Sequence, residues 1–133
     1  MNEVRPTPDE TPRPGRTTLL NAFRVAFIGF GYALRTQRNL QIHLAIGAIV
    51  GFAGFAFGLS PIEWCLIVLC IGLTWTAELL NTSVEVLVDL LSPEYHERAR
   101  VAKDVAAAAV LCSSIASAVV GLIVFGPKLF ARG

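Results

Sequence analysis

Between Arg38 and Glu63 lie 24 consecutive positions without Asp, Glu, Lys or Arg, and between Asp104 and Lys128 lie 23. A helix that crosses roughly 30 Å of hydrocarbon needs about 20 apolar residues, at about 1.5 Å each. Both stretches meet that length. A third apolar stretch, Ile62 to Leu91, reads the same way except that it carries Glu78, Glu85 and Asp89. Charged residues make up 16% of the chain, against about 25% in soluble domains. A disordered chain is thereby excluded and an ordinary soluble domain disfavoured. The 133 residues allow one domain. A net charge of +1 gives no nucleic-acid footprint.

The fold class expected is therefore all-α and integral to a membrane. Three spanning helices are predicted, at 42–59, 62–91 and 105–125. Leu59-Ser60-Pro61 is the only break between the first two. Pro61 suits the first turn of a new helix, with Ser60 as its N-cap. So short a turn makes the pair antiparallel. Leu91-Ser92-Pro93-Glu94 repeats the break, and Pro93 is again read as a helix start. Nine of the 11 Lys and Arg residues fall before the first span or between the second and third. By the positive-inside rule that side, with the N-terminus, faces the cytoplasm.

Residues 1–16 are polar and carry Pro6, Pro8, Pro12 and Pro14. They lack the apolar run of a signal peptide and read as a disordered cytoplasmic tail. Residues 19–37 differ. Leu19, Leu20, Phe23, Phe27, Phe30 and Leu34 recur at helical spacing, with Arg24 and Arg35 between them. This pattern predicts an amphipathic helix lying in the membrane interface, or packed on other protein. Cys65, Cys70 and Cys112 lack paired metal spacing and read as packing residues. Gly47/Gly51 and Gly54/Gly58, each four apart, read as close helix contacts. The third span is rich in small residues, Ala106 to Ala109, Ser113, Ser114, Ala116, Ser117, Ala118 and Gly121, which suits a tight bundle or a subunit contact.

A carboxylate inside a membrane span is costly and points to function. At about 100° per residue, Glu78, Asn81, Glu85 and Asp89 share one stripe about 80° wide. This seam must face protein, water or a ligand. Clustered carboxylates repel one another and favour a cation. Mg²⁺ takes oxygen ligands and commonly shares them with phosphates. Directly after the seam come Glu94-Tyr95-His96-Glu97-Arg98-Ala99-Arg100 and Ala102-Lys103-Asp104. Their cationic groups suit phosphate oxygens. The residues alone leave two readings open: a metal-bound nucleotide site, or a set of interhelical hydrogen bonds beside a topology-setting loop.

Ala77-Glu78-Leu79-Leu80-Asn81-Thr82-Ser83-Val84-Glu85, Val88-Asp89, Pro93-Glu94-Tyr95-His96 and Ala102-Lys103-Asp104-Val105-Ala106-Ala107 together resemble the bacterial integral-membrane diacylglycerol kinase and undecaprenol kinase family. Ala33 to His43 resembles it as well. The likeness covers roughly residues 17–128, which would form the lipid kinase domain, followed by a short tail at 129–133. It implies an ATP- and Mg²⁺-dependent kinase in a bacterial cell membrane, which phosphorylates the hydroxyl of a lipid alcohol, undecaprenol or diacylglycerol. It also implies a homotrimer of three-span subunits, each with an N-terminal surface helix, sharing active sites at the cytoplasmic face. Carried over by position, Glu78 is the general base and Asn81 orients the base or the lipid hydroxyl. Glu85 ligates Mg²⁺. Glu85, Glu94, Tyr95, His96, Lys103 and Asp104 contact the nucleotide. Glu78, Asn81 and Asp89 face the lipid. One position departs from the pattern: Gln37 stands where many members carry a second metal-ligating Glu.

Two other readings compete. A small oligomeric transporter or channel would use the acidic seam as an ion path, but has no need of the Glu-Tyr-His and Ala-Lys-Asp motifs. A non-catalytic relative would not need to retain Glu78, Glu85, Lys103 and Asp104.

Overall fold

A computed structural model describes residues 18–130. The predicted tail at 1–16 lies outside the described residues, as do 131–133 at the other end. The described chain is all-helical, in four helices: α1 (Leu19–Thr36), α2 (Arg38–Phe57), α3 (Pro61–Leu91) and α4 (Glu97–Phe130). The last three are long and apolar enough to cross a membrane. α4 packs along α3, α2 packs on α3, and α1 touches both α2 and α3.

Each helix boundary has a local cause. α1 and α2 are separated by Gln37 alone, in extended backbone with φ −108° and ψ 107°. The side chain of Gln41 donates to Leu34 O at 2.9 Å and holds that elbow. α2 stops at Gly58, which is left-handed at φ 64°, a conformation that glycine adopts without steric cost. Gly58 thus makes the turn rather than a helix contact. α3 starts with the capping box read from Ser60-Pro61: Ser60 N donates to Glu63 Oε2 at 2.7 Å, and Glu63 N donates to Ser60 Oγ at 3.4 Å.

The expected helix start at Pro93 is not found. Residues 92–96 are non-helical, and α4 begins at Glu97. His96 is the reason: its Nδ1 accepts from Arg98 N at 3.2 Å, as an N-cap side chain does. At its other end α4 continues through Phe130, so Leu129 and Phe130 are helical rather than part of a tail. Lys128 Nζ lies 3.1 Å from Glu63 Oε2 and joins the end of α4 to the start of α3.

Burial runs opposite to that of a soluble protein. Phe52, Phe55, Leu69 and Leu122 are exposed, whereas Thr74, Glu78, Asn81, Thr82 and Ser113 are buried. Lipid accepts apolar side chains and leaves polar ones to face inward. Between α3 and α4 the hydroxyls of Thr74 and Ser117 meet at 3.0 Å, and Ser117 also donates to Cys70 O at 3.3 Å. Cys65 and Cys112, expected in packing, are exposed in the single chain.

Near the α2–α3 turn, Leu59, Ile67 and Val124 form a small apolar core, with Trp64 and Phe125 against it. Gly54 lies at this close approach. A Cβ there would meet Leu59 Cδ1 at 2.6 Å and Trp64 Cη2 at 2.7 Å. The Trp64 ring is held against Phe55 at 4.8 Å and cannot retreat freely. Gly54→Ala should therefore cost about 1–3 kcal/mol by overpacking. A lower thermal midpoint in detergent checks this; an unchanged midpoint would show that the turn repacks at no cost.

Candidate functional site

The acidic seam is present on α3. Glu78 is 2% exposed and Asn81 is 7% exposed. Glu85 is half-buried. Measured along the helix from Pro61, Glu78 lies about 26 Å away and Glu85 about 36 Å away. If Pro61 marks one face of a hydrocarbon layer about 30 Å thick, Glu78 sits just inside the other face and Glu85 just beyond it.

Two polar groups form on this seam. In the first, Glu85 is the centre: Asn81 Nδ2 donates to its Oε1 at 2.8 Å, and Gln37 Nε2 donates to its Oε2 at 3.4 Å. Gln37 reaches it because the α1–α2 elbow falls at this residue. Asn81 Oδ1 is buried and makes no hydrogen bond within the described residues. In the second, Glu78 Oε1 faces His43 Nε2 of α2 at 3.3 Å but likewise lacks a hydrogen bond of good geometry. The hydroxyl of Thr82 goes to the Glu78 backbone carbonyl at 2.8 Å, not to its carboxylate.

The other predicted residues stand nearer the α3–α4 connection. Lys103 Nζ pairs with the Asp89 carboxylate. Glu94, Tyr95, His96 and Asp104 are exposed. Within the described residues, no hydrogen bond or ion pair joins Glu94, Tyr95 or His96 to the seam; His96 is occupied in capping α4. His43 is the residue that sequence reasoning left out of the site. The available signal was a lone imidazole within an otherwise charge-free span, a position that calls for a partner.

Two cavities flank the seam. One, of about 300 Å³, lies between α2, α3 and α4 and is lined by His43, Ile46, Gly47, Ile71 and Ser117 among others. The other, of about 900 Å³, is a groove between α3 and α4 that reaches Asn81 and is lined by Ala106, Ala109 and Ala116.

Among the described residues no group of three or more His, Cys, Asp and Glu side chains gathers as a metal cage. The oxygen donor that could serve a hard cation is the Glu85 carboxylate, with the Gln37 amide next to it. One carboxylate with neutral oxygens is a usual protein share for Mg²⁺, which takes much of its shell from water and phosphate.

Residues 24–125 match the family described as prokaryotic diacylglycerol kinase. The chain belongs to that family. Among its relatives are the undecaprenol kinase of Bacillus subtilis, 43% identical over 114 residues, spanning 83% of this chain and 93% of that protein. The diacylglycerol kinase of Synechocystis sp. is 42% identical over 114 residues, 85% of this chain but 65% of that longer protein. The diacylglycerol kinase of Haemophilus influenzae is 33% identical over 116 residues, 87% of this chain and 95% of that protein. The matched region of this prokaryotic diacylglycerol kinase family member contains both polar groups of the seam.

Proposed function

We propose that the chain transfers the γ-phosphate of ATP to the hydroxyl of a lipid alcohol at the cytoplasmic face of a bacterial cell membrane, as a homotrimer and with Mg²⁺. Family membership makes it a membrane lipid kinase, a phosphotransferase with an alcohol acceptor. The observation that carries the finer assignment is the burial of Glu78, a carboxylate on a helix long and apolar enough to span a membrane.

Glu78 acts as the general base. It accepts the proton of the lipid hydroxyl while that oxygen attacks the terminal phosphorus. Asn81, with Oδ1 unpaired, orients the hydroxyl beside it. Asp89 extends the lipid-facing side of the seam toward the surface and positions Lys103 through their ion pair. Lys103 and Asp104, together with Glu94, Tyr95 and His96, hold the nucleotide. Phosphoryl transfer depends mainly on such positioning and charge neutralisation.

Glu85 and Gln37 would hold Mg²⁺. When bound, the ion neutralises phosphate charge during transfer. The Gln37 amide turns its nitrogen toward the Glu85 carboxylate; rotating it by about 180° presents oxygen instead, and amide orientation follows the local hydrogen-bond demand. Gln is neutral and a weaker ligand than Glu. Gln37→Glu should therefore lower the Mg²⁺ concentration for half-maximal activity. An unchanged requirement would remove residue 37 from the metal site.

The homotrimer has support in the groove beside Asn81. Its lining of small residues admits a neighbouring helix closely, and one chain of three spans is too slender to enclose both nucleotide and lipid. Residues 17–128 form the kinase domain, with α1 at the membrane surface and the tail at 1–16 in the cytoplasm. The test of the reaction uses ATP labelled at either end. Label at the γ position should enter the lipid extract and label at the α position should not; equal labelling from both would reject γ-phosphate transfer.

A further inference from the structure

Glu78 has one polar neighbour to which no role has been given. His43 comes from α2 and places Nε2 3.3 Å from Glu78 Oε1. The carboxylate is 2% exposed and the imidazole 22%. The other donors nearby are committed elsewhere. Asn81 and Gln37 turn their amide nitrogens to Glu85, and Thr82 bonds a backbone carbonyl. Among the described residues, His43 is thus the side chain available to donate to the Glu78 carboxylate.

Its surroundings do not otherwise call for an imidazole. The cavity lined by His43 is mostly apolar, with Ile46, Gly47, Val50 and Ile71, and of its hydroxyls Thr74 and Ser117 bond each other at 3.0 Å. A buried charge needs a partner. A carboxylate that must take a proton in one direction also needs a fixed orientation, and catalytic bases are commonly oriented by a third group.

We propose that His43 is the positioning residue of Glu78: its Nε2–H donates to Oε1 and turns Oε2 toward the lipid hydroxyl. This role rests on Glu78 being the base. As the lipid oxygen bonds to the terminal phosphorus and the bond to the ADP oxygen breaks, the hydroxyl proton passes to Glu78 Oε2. His43 keeps its own proton throughout.

The test compares His43→Leu and His43→Gln in the full-length protein, at saturating ATP and lipid. His43→Leu should lower kcat by about 10- to 100-fold with both KM values little changed, the mark of a misplaced reacting group. His43→Gln, whose amide can donate to the same oxygen, should restore kcat to near that of the parent. A purely structural His43 would not give this split. If His43→Leu is not recovered folded, His43→Asn, polar but shorter, takes its place with the same expected loss. Unchanged kcat in the folded Leu or Asn variant overturns the proposal, and so does an equal loss in the folded Gln variant. Glu78→Gln in the same assay separates the two assignments. Full activity there removes the base itself; an inactive Glu78→Gln beside a fully active His43→Leu removes only the role of His43.

Discussion

Glu78→Gln should lower kcat by about 10²- to 10⁴-fold, the usual contribution of a general base. Glutamine keeps the shape of the side chain and removes only the ability to take the proton. It also removes a buried carboxylate whose Oε1 makes no hydrogen bond in the described residues, so folding should not suffer. Burying a neutral amide costs less than burying a carboxylate. The thermal midpoint of the variant should equal or exceed that of the parent, and its ATP affinity should persist. Loss of activity with stability retained would mark Glu78 as a chemical group. Activity within about tenfold of the parent would assign proton removal to solvent or to another residue.

Glu85→Ala should have the second largest effect. Glu85 accepts from both Asn81 and Gln37, and it is the carboxylate proposed to hold the metal. Its loss takes away charge stabilisation, worth about 10²- to 10³-fold in kcat, and leaves two amides without their acceptor. The Mg²⁺ concentration for half-maximal activity should rise, opposite to the change expected for Gln37→Glu. Titration of activity against Mg²⁺ checks both variants together. A Glu85→Ala enzyme with an unshifted Mg²⁺ requirement would place the metal elsewhere.

The membrane architecture was legible because it depends on local composition. The charge gaps at 39–62 and 105–127 require only that hydrocarbon excludes charge. The stripe of Glu78, Asn81 and Glu85 was legible for a similar reason, since helical periodicity alone puts residues three and four apart on one face. Ser60 and Pro61 announced the start of α3 through local hydrogen-bonding chemistry.

What escaped the sequence depends on contacts between distant segments. His43 has no acidic neighbour in sequence; its partner Glu78 lies on the next helix and is brought close by the α2–α3 hairpin. Gly58 fits the four-residue spacing of a packing pair, but periodicity cannot tell a helix face from a helix end. At Pro93 the local signal for a helix start was strong, yet the His96 imidazole caps the helix later. Lys103 was expected to face phosphate, and it pairs with Asp89.

The most direct measurement supplies purified protein in detergent with Mg²⁺ and γ-labelled ATP, offers undecaprenol and diacylglycerol separately, and counts label in the lipid extract. A lipid kinase working through Glu78 gives labelled lipid from at least one acceptor, and almost none when Glu78→Gln replaces the parent. Absence of labelled lipid from both acceptors, or equal labelling by Glu78→Gln, would contradict it.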